Sequence, residues 1–175
     1  AGENSFIGAG VANITWTTSS VVVGGQGNTA SGTYSSILGG YNNFVSGMYA
    51  AVGGGQSNSS TGNHSFIGGG YNNIATGDSS FIGGRENSAL GQYSFVGGGY
   101  KNIASGTHSA VFGINNQALG SESFVIGERN TSSAFISFVS GWYNEIEAGG
   151  DLSFIAGGRN SKISTQNSAI IGGAV

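Results

Sequence analysis

Apolar residues in this chain form no long runs. They come in short groups, at an interval that hardly changes from one end to the other. Ser65 to Gly77 reads SFIGGGYNNIATG, Ser80 to Gly91 reads SFIGGRENSALG, Ser94 to Gly106 reads SFVGGGYKNIASG and Ser36 to Gly47 reads SILGGYNNFVSG. A repeat of this kind is read before any other signal, because one unit is too short to bury a face alone and must stack on its neighbours. The first residue after each apolar pair serves as a marker: Gly8, Gly24, Gly39, Gly53, Gly68, Gly83, Gly97, Gly113, Gly127 and Gly172, with Ser140 and Ala156 in the same place. These markers fall 13 to 16 residues apart. An Asn follows each one but Gly172, at Asn13, Asn28, Asn43, Asn58, Asn73, Asn87, Asn102, Asn116, Asn130, Asn144 and Asn160.

Two ladders of one period predict a stack of similar coils. About 15 residues accommodate two strands of four or five residues and two tight turns, at roughly 3.3 Å per residue. The expectation is an all-β parallel β-roll, a solenoid of about twelve coils with two short strands per coil. At strand spacing it is a rod on the order of 55–60 Å long. A three-sided hexapeptide helix needs more chain, and a calcium roll needs a GGxGxD pattern that is absent here.

Period-two alternation assigns the faces. Counted back from the marker, the predicted inward residues are Ile7, Val23, Leu38, Val52, Ile67, Ile82, Val96, Phe112, Ile126, Val139, Ile155 and Ile171. Ser65, Ser80, Ser94, Ala110 and Ala169 lie two places earlier on the same face. On the second strand, Ala30, Ser60, Ala75, Ala89, Ala104 and Ala118 supply small partners for a narrow lumen. The predicted outward row is Phe6, Val22, Ile37, Ala51, Phe66, Phe81, Phe95, Val111, Val125, Phe138, Phe154 and Ile170. Such a stripe exceeds what soluble monomers usually expose. Other copies of the chain are the simplest cover, which makes Phe6, Phe66, Phe81, Phe95, Phe138 and Phe154 candidate residues of a threefold interface.

Composition narrows the function. Glycine is 35 of 175 residues, proline and cysteine are absent, and the formal charge is −3 with only five Lys or Arg. That balance offers no electrostatic footprint for nucleic acid. No apolar run approaches the length that spans a bilayer, so this segment predicts no direct membrane contact. The opening AGENSFIG has neither charged leader nor apolar h-region. With the repeat under way at Asn4, the chain reads as one repeat domain, 1–175, cut from a longer fibrous protein.

Two rows could do more than hold coils together. Two places before the Asn stand Gln26, Tyr41, Gln56, Tyr71, Arg85, Tyr100 and Trp142. Rings beside amides and a guanidinium suit sugar faces or a protein partner, so Tyr41, Tyr71, Arg85, Tyr100 and Trp142 are candidate ligand-binding residues. Tyr rings lying over glycine turns give the structural alternative. A second edge carries Tyr34, Tyr49, His64, Tyr93 and His108, with the same two readings. His64 and His108 stand about three coils apart, too far to share a metal within one chain. Glu145, Glu147 and Asp151 invite comparison with a glycosidase pair, but three acids in an irregular turn fit a solvated loop better. No GxSxG elbow and no Gly-Lys-Ser/Thr phosphate loop occurs. No catalytic residue, metal site or cofactor is predicted.

The repeat resembles the YadA-like head of trimeric autotransporter adhesins, carried by NSAIIG at Asn167 to Gly172 and, more loosely, by DSSFIG at Asp78 to Gly83 and NSFIG at Asn4 to Gly8. It is also similar to repeats in trimeric fibre heads of phages and other appendages. The resemblance implies a left-handed roll, a parallel homotrimer and a non-enzymatic role in attachment. The implied ligand is a host-cell surface protein, matrix or carbohydrate, and the implied location is the cell surface or an extracellular fibre. A Phe row bulkier than the family's usual Ala, and a Gly-Gly-Tyr-Asn-Asn turn, depart from the family pattern. Two other functions compete. An ice- or crystal-binding solenoid would use the hydroxyl row Ser31, Ser46, Thr61, Thr76 and Ser105, which Leu90, Leu119 and Glu147 interrupt. A polysaccharide-cleaving solenoid would need longer coils and clustered carboxylates.

Overall fold

The computed structural model describes residues 2–173 and contains strands and turns with no helix among them. Successive strands alternate between two parallel sheets. The first has twelve strands, from Phe6–Ile7 through Phe66–Ile67 to Ala169–Ile170. The second has eleven, from Ile14–Thr15 through Ile74–Ala75 to Lys162–Ile163. The molecule is therefore a β-solenoid of about eleven turns of about 15 residues. Coils are numbered here by their first-sheet strand, coil 1 beginning at Phe6 and coil 12 at Ala169.

Most strands are two residues long, shorter than the four or five the period predicts. Each coil is bent at two corners by a residue with positive φ. Tyr71 is followed by Asn72 (φ 53°) at the first corner, and Ser79 (φ 56°) occupies the second. The left-handed conformation turns the chain sharply and ends pairing on either side. The coil also has a third, very short side. Parallel bridges link Val11, Gln26, Tyr41, Gln56, Tyr71, Arg85 and Tyr100 in succession. In coils 7 to 11 the first-sheet strand runs over the glycine turn into this line, as in Phe95–Tyr100 and Phe124–Glu128.

The core is a column one residue wide from each sheet. Val22, Ile37, Val52, Ile67, Ile82, Val96, Val111, Val125, Val139 and Ile155 are fully buried against a column containing Ala30, Ala75, Ala89, Ala104 and Ala118. This corrects the expected inward row. Val23, Leu38, Ile126 and Ile171 are exposed and Phe112 is half-buried, whereas Val22, Ile37, Val111 and Val125 lie inside. The strand register explains the slip, since Val22 and Ile37 align with Ile7 and Val52. Val23, Leu38, Phe112, Ile126 and Ile171 occupy the place that glycine holds in coils 1 and 4 to 7 and that Ser140 and Ala156 hold in coils 10 and 11, so counting back from the next glycine lands one residue late. Ile7 is inward by register but 41 % exposed in the end coil. Ala110 and Ala169 belong to the outward row, and Ser109 takes the inward place beside Ser94.

A buried asparagine column closes the first corner. The Asn73 amide donates to the carbonyls of Gly69 in its own coil (3.2 Å) and Gly84 in the next (2.7 Å), and to Asn58 Oδ1 (3.0 Å). Its own Oδ1 accepts the N–H of Asn87 (3.0 Å). The same pattern runs from Asn28 to Asn144. Buried turn backbone thus finds partners that the short strands leave it without. At the last step Ser161, not Asn160, donates its N–H to the ladder, at Asn144 Oδ1. Asn160 sits one place early, in the positive-φ position.

Candidate functional site

Three surfaces of the rod concentrate chemistry: the outer face of the first sheet and the two corners. On the sheet face, all six predicted interface residues, Phe6, Phe66, Phe81, Phe95, Phe138 and Phe154, lie in one outward row. Phe124 joins them. Rings stack between coils, with centroids 4.9 Å apart for Phe81 and Phe95 and 5.5 Å for Phe124 and Phe138. Coil 8 carries Ala110 in this row. Phe112, two residues on, turns its ring into the gap and meets Phe95 at 5.5 Å and Phe124 at 5.6 Å. The aromatic ladder is therefore unbroken from Phe66 to Phe138. Toward the N-terminus the row passes through Val21, Ser36 and Ala51, and the exposed Val23 and Leu38 keep that part of the face apolar.

The first corner carries the predicted ligand-binding residues in register. Tyr41, Tyr71, Arg85 and Tyr100 lie on the short third side, with Tyr41 and Tyr71 exposed and Tyr100 half-buried. The Arg85 guanidinium lies between two rings, 5.4 Å from Tyr71 and 5.5 Å from Tyr100. Glu86 bridges Arg85 (3.1 Å) and Lys101 (3.7 Å). The Lys101 ammonium lies 5.0 Å from the Tyr100 ring centroid. It is held above its ordinary pKa by the Tyr100 hydroxyl first and by Glu86 after it. Trp142 is on the same line but separated from Tyr100 by Ile114 and Glu128. Its ring is covered by Arg159 at 4.0 Å and its indole N–H is buried without a partner. The structure thus gathers four of the five predicted residues into one patch and leaves Trp142 apart.

The second corner is built oppositely. Its glycine row is buried because coils approach closely: a Cβ on Gly47 or Gly62 would lie 2.7 Å or 2.6 Å from the next glycine's carbonyl carbon. The ring row stands in the positive-φ position, at Tyr34, Tyr49, His64, Tyr93 and His108. Tyr34, Tyr49 and His64 form one continuous stack, with centroid spacings of 5.0 and 5.2 Å, and Tyr93 stacks on His108 at 4.9 Å. Each histidine has a tyrosine face as neighbour. No group of three or more His, Cys, Asp or Glu positioned for a metal ion occurs among the described residues.

Of the three acids of the irregular turn, two meet at one lysine and the third lies apart. Glu145 and Glu147 both bind Lys162, at 3.4 and 2.6 Å, on the outer face of the second sheet. Asp151 lies at the second corner and accepts the N–H of Phe135. Two extra residues, Ala148 and Gly149, precede Gly150, whose missing side chain leaves room for Ile146 and Ile163 in the lumen. The shallow depression nearby, about 310 Å³, is lined by Ile136, Phe138, Leu152 and Phe154 beside Glu122.

The chain matches no protein-family model and no curated protein. The likeness to trimeric heads rests on its own repeat.

One feature of the first corner was missed in the sequence. Tyr41, Tyr71 and Tyr100 occupy alternate coils, with Gln26 before them and Gln56 and Arg85 between them. The outward second-sheet row alternates in phase: Ile14, Phe44, Ile74 and Ile103 are bulky where Thr29, Ser59, Ser88 and Gln117 are polar. A search for a 29–30-residue period would have found it, since YNNF, YNNI and YKNI alternate with QGNT, QSNS and RENS.

Proposed function

We propose that this segment is the non-enzymatic head of a trimeric attachment protein, exposed at a cell surface or on an extracellular fibre and binding a surface protein, matrix or carbohydrate. The aromatic ladder on the outer face of the first sheet carries the reading. An unbroken column of phenyl rings, rimmed by Leu38, Ile126 and Ile171, is far more apolar than a surface that works in water alone. Three parallel copies of a left-handed roll, each turning this face to a common axis, would remove it from water and leave both corners outside for ligands. Deep carboxylate pairs and nucleophile arrangements play no part in such a role.

Sedimentation equilibrium at micromolar concentration tests it. The expected mass is three chains for the native segment and one chain for a Phe81→Asp, Phe95→Asp double substitution, since each carboxylate would be buried without a partner at the axis. A native monomer would overturn the reading. Ice or crystal-surface binding is disfavoured on this geometry, because bulky Phe44 and Ile74 interrupt the hydroxyls of the second sheet's outer face.

A further inference from the structure

We propose that the first corner of coils 3 to 7 binds a linear acidic polysaccharide with a disaccharide repeat, lying parallel to the rod axis. The proposal rests on the attachment reading and names the ligand of that head.

Three observations carry it. The first is the two-coil period. At roughly 4.8 Å per coil, Tyr41, Tyr71 and Tyr100 recur every 9–10 Å, about the length of two pyranose units. In a β-linked polymer successive sugars are turned over, so the same sugar face recurs at every second unit. A ring at every second coil matches that recurrence, and the amide of Gln56 stands between Tyr41 and Tyr71 to take hydrogen bonds. Phe44 and Ile74, about 40 % exposed like Tyr41 and Tyr71, extend each ring into a broader apolar rung.

The second is the segregation of charge. Four of the five basic residues lie along the first corner, Arg85 and Lys101 within coils 3 to 7 and Arg129 and Arg159 beyond them, against two acids, Glu86 and Glu128. The second corner carries Glu3, Asp78, Glu122 and Asp151 and no Lys or Arg. A chain that is acidic overall thus presents one cationic edge, which a polyanion would select. The third is that all four cations lie over aromatic rings. Arg85, held between two tyrosines, gives its Nε–H to Glu86 and is still exposed, so its terminal amino groups are placed to meet a carboxylate on the sugar between two stacked ones. Tyr41 to Tyr100 spans four coil steps, on the order of 19 Å, so a short oligosaccharide engages all three rings and a disaccharide only one.

Titration calorimetry with a hyaluronan octasaccharide, whose repeat alternates an acidic and a neutral sugar, tests the assignment. Its carboxyl-reduced form and the disaccharide serve as controls. Binding of the octasaccharide is expected, with both controls weaker by about tenfold or more. Arg85→Gln and Tyr71→Ala should each weaken it about tenfold, Tyr71→Phe should preserve it, and Tyr49→Ala at the opposite corner should leave it unchanged. Affinity should also fall as salt rises from about 50 to about 500 mM, a test needing no variant. No binding, salt-independent binding, or equal loss in Tyr49→Ala would overturn the site. Attachment of the labelled chain to cells separates the two readings. Attachment undiminished in Arg85→Gln removes the polysaccharide ligand and leaves the attachment head. Octasaccharide binding without attachment supports the site and removes the head.

Discussion

The two corners of each coil solve one problem in opposite ways. A two-residue strand leaves most of a coil's backbone without a ladder, and both corners must satisfy it while turning the chain through a left-handed residue. The first corner inserts a side chain: one asparagine amide per coil reaches two carbonyls and the next coil. The second corner keeps side chains out of most coils, Thr17 and Ala134 being exceptions, so that buried glycines let adjacent backbones approach directly. Outside, the difference persists. Cations over tyrosines line the first corner, while acids and a tyrosine–histidine stack line the second. A repeat can therefore fix its backbone either by filling a corner or by emptying it.

The largest effect should come from refilling the emptied corner. Gly62→Ala would bring Cβ to 2.6 Å from the Gly77 carbonyl carbon and 2.8 Å from the Thr76 oxygen, both backbone atoms that cannot turn aside. The loss should exceed about 4 kcal/mol, or abolish folding, read as the midpoint of denaturant unfolding. Emptying the filled corner comes next. Asn73→Ala leaves the Gly69 and Gly84 carbonyls and the Asn87 N–H without their partner, at a cost of about 3–5 kcal/mol. An Asn73→Ala variant within about 1 kcal/mol of the native chain would show that water, and not the amide, can hold this corner.

Much of this architecture is legible in the residues, and its failures have a physical cause. The interval between Gly39, Gly53 and Gly68 gives the coil, and Ala75 or Ala104 gives the lumen, because small residues at a fixed place tolerate no other reading. The Phe row was found at Phe66, Phe81 and Phe95 but lost at Phe124. There an Ile126 fills the glycine's place, and three apolar residues in succession leave the alternation ambiguous by one step. Pairing between coils removes the ambiguity, which no single coil contains. Phe112 shows the limit more sharply. Its role is to fill the space over Ala110, a fact about neighbouring coils. The patch of Tyr41, Tyr71, Arg85 and Tyr100 was legible as a row. Its two-coil rhythm was not, because the comparison was made one coil at a time.

A milder comparison concerns the left-handed residue of the second corner. Ser79 holds φ 56° without a stacking partner, and Tyr49 holds φ 58° between Tyr34 and His64. Asparagine adopts this conformation more readily than either. Ser79→Asn should stabilise by up to about 1 kcal/mol. Tyr49→Asn should destabilise by about 1 kcal/mol, because two ring contacts outweigh the relieved backbone. Equal effects in thermal unfolding would mean that the stack contributes nothing to the fold and serves only what binds outside.

The smallest expected effect lies between the corners, at the basic residue that the first corner does not claim. Lys162 pairs with Glu147 and Glu145 on the second sheet's outer face. Its pKa is raised above 10.5 by the hydrogen bond to Glu147 first and by Glu145 after it. A raised lysine contributes its stability in full below its ordinary value and loses it as pH climbs through the higher folded value. The group is exposed, so the contribution is small and salt-sensitive. Lys162→Gln should lower the melting temperature by about 1 °C at pH 7 and by progressively less as pH climbs above 10.5, with no change in octasaccharide affinity. A loss of that affinity would extend the ligand surface from the first corner onto the sheet. The two corners would then be separated by a second binding face and not by an inert wall.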